Sequence, residues 1–211
     1  MGRKERGIVL FCILLSLSGC VKVPAPDTVL EVLAPERELA VASTKTGVSA
    51  FLKCTGYEKE DWYNITPSFV ADNSDFAVFK NAANTDTYIV YDGAAYSIGE
   101  CFGGYGMTSM ALADLNQDGA YELYYTFSFG SGLHLSNIGY FDPVSREVTI
   151  LEYTLNSHQN DLMLTANEAG DLCVNLARLD SFRSFVDFSM KAEKLVGTVV
   201  FEENAVKVDE M

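Results

Sequence analysis

Histidine is nearly absent from this chain: His134 and His158 are the only two among 211 residues. They form no H-E-x-x-H arrangement, so both are read as turn or surface residues and not as zinc ligands. Basic residues are also scarce, 15 against 29 acidic ones, for a net charge of −14. Such a chain repels phosphate backbones, which excludes nucleic acid as a partner and favours cations. Nucleotide motifs are missing too. "ECFGGYGM", from Glu100, is glycine-rich but is neither a Walker A loop nor a dinucleotide fingerprint, and no basic residue stands nearby to meet a phosphate. Ser131 in "FGSGLHLS" lacks the G-x-S-x-G spacing of a nucleophile elbow, and this stretch reads as a strand end followed by a flexible loop. Glu58, Glu60 and Asp61 stand beside Trp62 and Tyr63. Acids next to aromatics suit glycosidases, yet here they read as a solvated charge run. No catalytic residue can be named.

The N-terminus decides the compartment. Arg3, Lys4 and Arg6 form a basic start, Ile8 to Leu17 an apolar run too short to span a bilayer comfortably, and Ser18-Gly19 a small-residue approach to Cys20. Leu17-Ser18-Gly19-Cys20 resembles the lipobox of bacterial lipoproteins. The resemblance implies a signal peptide over residues 1–19, cleavage before Cys20, and acylation of Cys20 with palmitate-type chains. Two or more chains anchor stably where a single one holds only marginally. The expected location is the bacterial cell membrane, lipid-anchored and extracytoplasmic. Cleavage would remove Arg3, Lys4, Arg6 and Glu5, so 15 basic and 29 acidic residues become 12 and 28, and the net charge becomes −16.

Beyond the anchor, Pro24, Pro26 and Pro35 punctuate a charge-mixed stretch, and residues 20–46 read as anchor and tether. Residues 47–211 then form a single β-rich domain. With 13 Phe, 11 Tyr, one Trp and 48% apolar residues, the chain can build one core. "GVSAFLKCTGY", from Gly47, places Val48, Phe51 and Leu52 on one helical face and ends at Gly56, so a short helix is expected there, with a strand as the alternative. From Phe69 onward, short alternating runs separated by turn signals predict eight to ten strands. Asp92-Gly93 marks a two-residue hairpin, Asp142-Pro143 a type I turn and Ala169-Gly170 a further turn. The fold class is mainly β: an antiparallel meander, a sandwich or short propeller-like blades, with at most one or two short helices near the N-terminus. Cys54 and Cys101 both flank glycine-rich connections and are expected to form a disulfide, leaving Cys173 as a buried thiol in an apolar strand.

One stretch carries chemistry. "DLNQDGAYEL", Asp114 to Leu123, lies between two strand-like runs and repeats oxygen-bearing side chains around a glycine. Calcium takes several oxygen ligands, and this spacing wraps them round one centre. Asp114, Asn116 and Asp118 would offer side-chain oxygens, Ala120 its carbonyl and Glu122 its carboxylate. The loop is not an EF-hand, whose twelfth position is Glu where this chain has Tyr125. It resembles the D-x-N-x-D-G-x-x-[DE]-L signature of FG-GAP and related VCBS repeats, with Phe102-Gly103 echoing the FG pair. That resemblance implies a structural calcium ion in a module that binds other proteins or saccharides. The expected function is therefore a lipid-anchored, calcium-stabilised β module that binds an extracellular protein or saccharide; the alternative is a cell-envelope hydrolase or hydrolase subunit. The anchor is directly testable: Cys20→Ser should leave the precursor unprocessed and block incorporation of radiolabelled palmitate, and equal labelling of the variant would contradict the assignment.

Overall fold

The computed structural model describes residues 30–58 and 61–211. The signal segment, Cys20 and Glu60 lie outside them. The described elements are β1 (Glu38–Val41), α1 (Val48–Thr55), β2 (Trp62–Asn64), α2 (Ser68–Asn73), β3 (Ala77–Asn81), β4 (Thr87–Tyr91), β5 (Ala94–Ser97), β6 (Gly106–Ala113), β7 (Glu122–Phe129), β8 (Leu135–Asp142), β9 (Glu147–Asn156), β10 (Asp161–Ala166), β11 (Leu172–Ser184), β12 (Asp187–Glu202) and β13 (Ala205–Glu210). The protein is mainly β and antiparallel throughout, and the described residues form no closed barrel.

The strands fall into three consecutive meanders. β2-β3-β4-β5 make an N-terminal sheet and β6-β7-β8-β9 a central one; β10-β11-β12 make a third, in which β12 also pairs with β13 and with β1. Local chemistry sets the turns. Asp92 and Gly93 both take positive φ (47° and 73°), as a type I′ hairpin needs. After β8, the carboxylate of Asp142 accepts the N–H of Val144 at 2.7 Å and fixes the turn through Pro143. Helix α1 ends as expected, with Gly56 at φ 73° donating its N–H to the Leu52 carbonyl.

Two expectations are corrected. The tether expected over residues 20–46 is part of the domain from Leu33 onward. Leu33 and Leu112 exchange N–H···O bonds of 2.8 Å, β1 pairs with β12, and Thr44 pairs with Asn64. A four-residue strand is too short to show its period in sequence, yet Leu39 and Val41 alternate inward and are buried. The Cys54–Cys101 disulfide is absent, and both thiols are free, as is Cys173. Cys54 is exposed on α1 and donates to the Gly93 carbonyl at 2.9 Å, whereas Cys101 is buried in the core. Glycine-rich flanks report nothing about which side of a sheet a thiol occupies.

The central sheet is buried on both faces. Met110, Leu112, Leu123, Tyr125 and Phe127 pack on one side with Val78 and Ile89 of the N-terminal sheet and Met190 of the third. On the other side, Ala111, Tyr124 and Ile138 meet Leu162, Leu164 and Val174. Within this core Lys80 on β3 is completely buried. Its Nζ donates to the Met107 carbonyl at 3.1 Å, where a register shift interrupts the β6–β7 ladder, and sits 4.9 Å from the Phe188 ring centre. Burial lowers this amine to a pKa of about 7.

β10 pairs with β11 alone, so one row of its N–H groups faces away from any strand partner while being buried. Side chains and one carbonyl supply the missing acceptors. Leu162 N–H donates to Ser136 Oγ and Leu164 N–H to Ser109 Oγ, both at 3.0 Å, and Ala166 N–H to the Pro35 carbonyl at 3.3 Å. Ser136→Ala and Ser109→Ala should each orphan a buried donor and cost about 1–3 kcal/mol, read as a lower urea midpoint at unchanged m-value; a change below about 0.5 kcal/mol in both, the range typical of neutral surface substitutions, would show that the edge is satisfied otherwise.

Candidate functional site

The loop between β6 and β7 folds its backbone around its own carboxylates. Asp114 is the first residue beyond β6 and buried; its Oδ1 accepts the N–H of Asp118 and its Oδ2 that of Gly119, both at 3.0 Å. Asn116 Oδ1 accepts the same Asp118 N–H at 2.9 Å, and Asp118 Oδ1 accepts the N–H of Ala120 at 2.9 Å. Such closely wound N–H donors require unusual backbone angles, found at Gln117 (φ 59°) and Gly119 (φ 87°). The loop thereby gathers one carboxylate oxygen each from Asp114, Asp118 and Glu122 within 4.8 Å of one another. All three are among the five residues expected as ligands. Asn116 lies beside Asp118, its Nδ2 3.3 Å from Asp118 Oδ2, and Ala120 is tied in through its N–H.

Glu122 is the residue that distinguishes this loop from a solvated polar turn. It opens β7 with its side chain facing inward and is 1% exposed. Oε2 accepts the N–H of Leu115 and the hydroxyl of Tyr124, both at 3.2 Å. Oε1 is buried with no hydrogen-bond partner. Burial raises the Glu122 carboxyl to about 7; the two donated hydrogen bonds oppose this, and the negative charges of Asp114 and Asp118 reinforce it. Burial also raises the Tyr124 hydroxyl, with the Glu122 charge adding to it. Tyr124 and the Leu115 amide are site members that sequence reasoning missed. The signal for Tyr124 was the period of the strand, which puts residues 122 and 124 on one face.

Three carboxylates with one unpartnered buried oxygen make an oxygen-only, strongly negative cluster, the donor set that hard divalent cations take. No protein-family model matches the chain, and no curated protein or solved structure matches it either.

A buried carboxyl with a raised pKa makes the loop sensitive to pH when no cation is present. The folded state binds the Glu122 proton more tightly than the unfolded chain, whose carboxyl titrates near 4.5. Its contribution to stability is thus fully present below about 4.5 and is lost as pH rises to about 7. In chelator, Glu122→Gln should match the wild type near pH 4.5 and exceed it by up to about 3 kcal/mol at pH 8, measured by denaturant unfolding at both pH values. A variant no more stable than wild type at pH 8 would contradict the burial argument.

Proposed function

We propose that the protein is a lipid-anchored, extracytoplasmic β module in which the 114–122 loop holds a structural calcium ion, and that the module binds a protein or saccharide at the cell surface. The observation that carries the metal part is the unpartnered, buried Oε1 of Glu122 beside Asp114 and Asp118. A buried carboxylate oxygen without a donor costs free energy, and a cation bound there removes that cost. Asp114, Asp118 and Glu122 would hold the ion with charged oxygens, with Asn116 and the Ala120 carbonyl completing the set. Its role is structural, because the loop sits at the tip of a hairpin and ties β6 to β7. The resemblance of this loop to FG-GAP and VCBS repeats agrees with that role. The anchor part is supported by Leu17-Ser18-Gly19-Cys20, and the acidic balance of the chain agrees with life among divalent cations.

Extracellular calcium modules bind with constants of about 10⁻⁴ to 10⁻³ M. At ten times that constant the ion stabilises the fold by roughly 1.4 kcal/mol, or about 3–6 °C for a domain of this size. Calcium should therefore raise the melting temperature by several degrees, EDTA should reverse it, and Asp114→Ala or Asp118→Ala should abolish the response. Magnesium, which demands a stricter octahedral shell, should substitute poorly. Calorimetry with no calcium heat, together with an unchanged melting temperature, would refute the metal assignment.

A further inference from the structure

Two glycine-rich stretches that carry no nucleotide motif meet at the opposite end of the central sheet from the acidic loop. "CFGGY" leads into β6 and "GSGLH" joins β7 to β8. Gly130 N–H donates to the Phe102 carbonyl at 2.7 Å, which locks the two together. A side chain at Gly104 would run into the Ser128 carbonyl, so the backbones approach as closely as they do only because that residue is glycine. The two stretches form one rim, tied at Gly130, with Ser131, Gly132 and Leu133 exposed.

Against this rim lies a cavity of about 280 Å³ lined by Gly103, Gly104, Tyr105, His134, Phe182 and Phe185. Phe182 and Phe185 come from the β11–β12 hairpin, whose tip folds back so that their rings lie 5.9 and 6.0 Å from that of Tyr105. His134 lies in the β7–β8 turn, as expected, and is partly exposed. Its ring meets Tyr105 edge-on at 5.6 Å, and its Nε2 lies 2.7 Å from Oδ1 of the buried Asp161, the first residue of β10. Facing a carboxylate, Nε2 carries the proton. Nδ1 has no hydrogen-bond partner among the described residues; the hydrogen bond to Asp161 raises the imidazole pKa above its ordinary value, and above that pKa, in the neutral ring, Nδ1 is an acceptor.

A cavity with room for an aromatic ring, walled by aromatic side chains and glycine backbone and lined by a histidine with one unpartnered ring nitrogen, suits a flat uncharged ring with one hydroxyl at its edge. We propose that this cavity binds a phenol ring, packed by face and edge among the mutually inclined rings of Tyr105, Phe182 and Phe185, its hydroxyl donating to Nδ1 of the neutral His134 ring. A sugar ring fits less well, because most of its hydroxyls would find no partner on these walls. An anionic ring is disfavoured by Asp161 and by the net charge of −14. The ring has two sources, a free phenolic compound or the tyrosine side chain of a partner protein. This site goes beyond the calcium loop and does not depend on it.

The test is an NMR titration, at mildly alkaline pH where the His134 ring is neutral, of the amide signals of Gly103, Gly104 and His134 with p-cresol, 4-methylanisole, methyl glucopyranoside and N-acetyl-tyrosinamide, in calcium and in chelator. p-Cresol should shift these signals with a dissociation constant on the order of 1 mM. Capping its hydroxyl in 4-methylanisole should weaken binding about tenfold, and Phe185→Ala should weaken p-cresol at least as much. N-Acetyl-tyrosinamide binding as tightly as p-cresol or tighter assigns the ring to a partner's tyrosine, and weaker binding assigns it to a free phenol. Absent shifts, equal binding of the capped ring, or tighter binding of the glucopyranoside would each overturn the proposal. Ring binding that persists in chelator separates its fate from that of the calcium reading.

Discussion

Burying the edge of β10 is the constraint on which the arrangement of the three sheets depends. An unpaired strand edge is tolerated in water, where solvent completes its hydrogen bonds, but in a core every N–H needs an acceptor. Here the acceptors are Ser136 and Ser109 on the central sheet and the Pro35 carbonyl in the N-terminal stretch. Those three contacts fix how the third sheet lies across the second, and they draw residues 33–41 into the fold. Ser109 is itself held by Thr126 at 2.6 Å, so the hydroxyls form a connected polar seam inside an otherwise apolar layer.

That seam also organises what lies at its two ends. β6 and β7 are eight residues each, a span of about 26 Å. Beyond one end the chain turns through the acidic loop; beyond the other come the two glycine-rich stretches. Asp161, which orients His134, is the residue immediately before Leu162, whose N–H is bound by Ser136. The strand placed by the serine contacts is thus the one that delivers the carboxylate to the aromatic cavity.

The buried charged groups differ in what they require of their surroundings. Lys80 has a carbonyl and an aromatic face for its Nζ, and its lowered pKa lets it shed its charge near neutral pH. Glu122 shifts the other way by the same physics, because burial disfavours whichever form is charged. One oxygen of Glu122 has donors and the other has none. A neutral amine satisfied by one acceptor is at rest in a core. A carboxylate with one bare oxygen, next to two further acids, keeps an unmet electrostatic demand, which the proposed cation would satisfy.

Periodicity and turn chemistry were legible from the residues alone. Alternating apolar runs declared the strands from β4 to β12, Asp92-Gly93 and Asp142-Pro143 marked reversals, and Gly56 closed α1, because each of these depends on angles and hydrogen bonds within a few residues. The acidic loop was legible for the same reason: its oxygen-bearing side chains lie within nine consecutive positions. Short strands such as β1 escaped, since four residues do not display a period. The burial of Glu122 Oε1, the pairing of His134 with Asp161, the enclosure of Lys80 and the separation of Cys54 from Cys101 were decided only by tertiary structure. Each depends on which face of which sheet meets another. That choice is set by long-range packing and by the hydrogen-bond needs of a buried strand edge, and no local run of sequence encodes it.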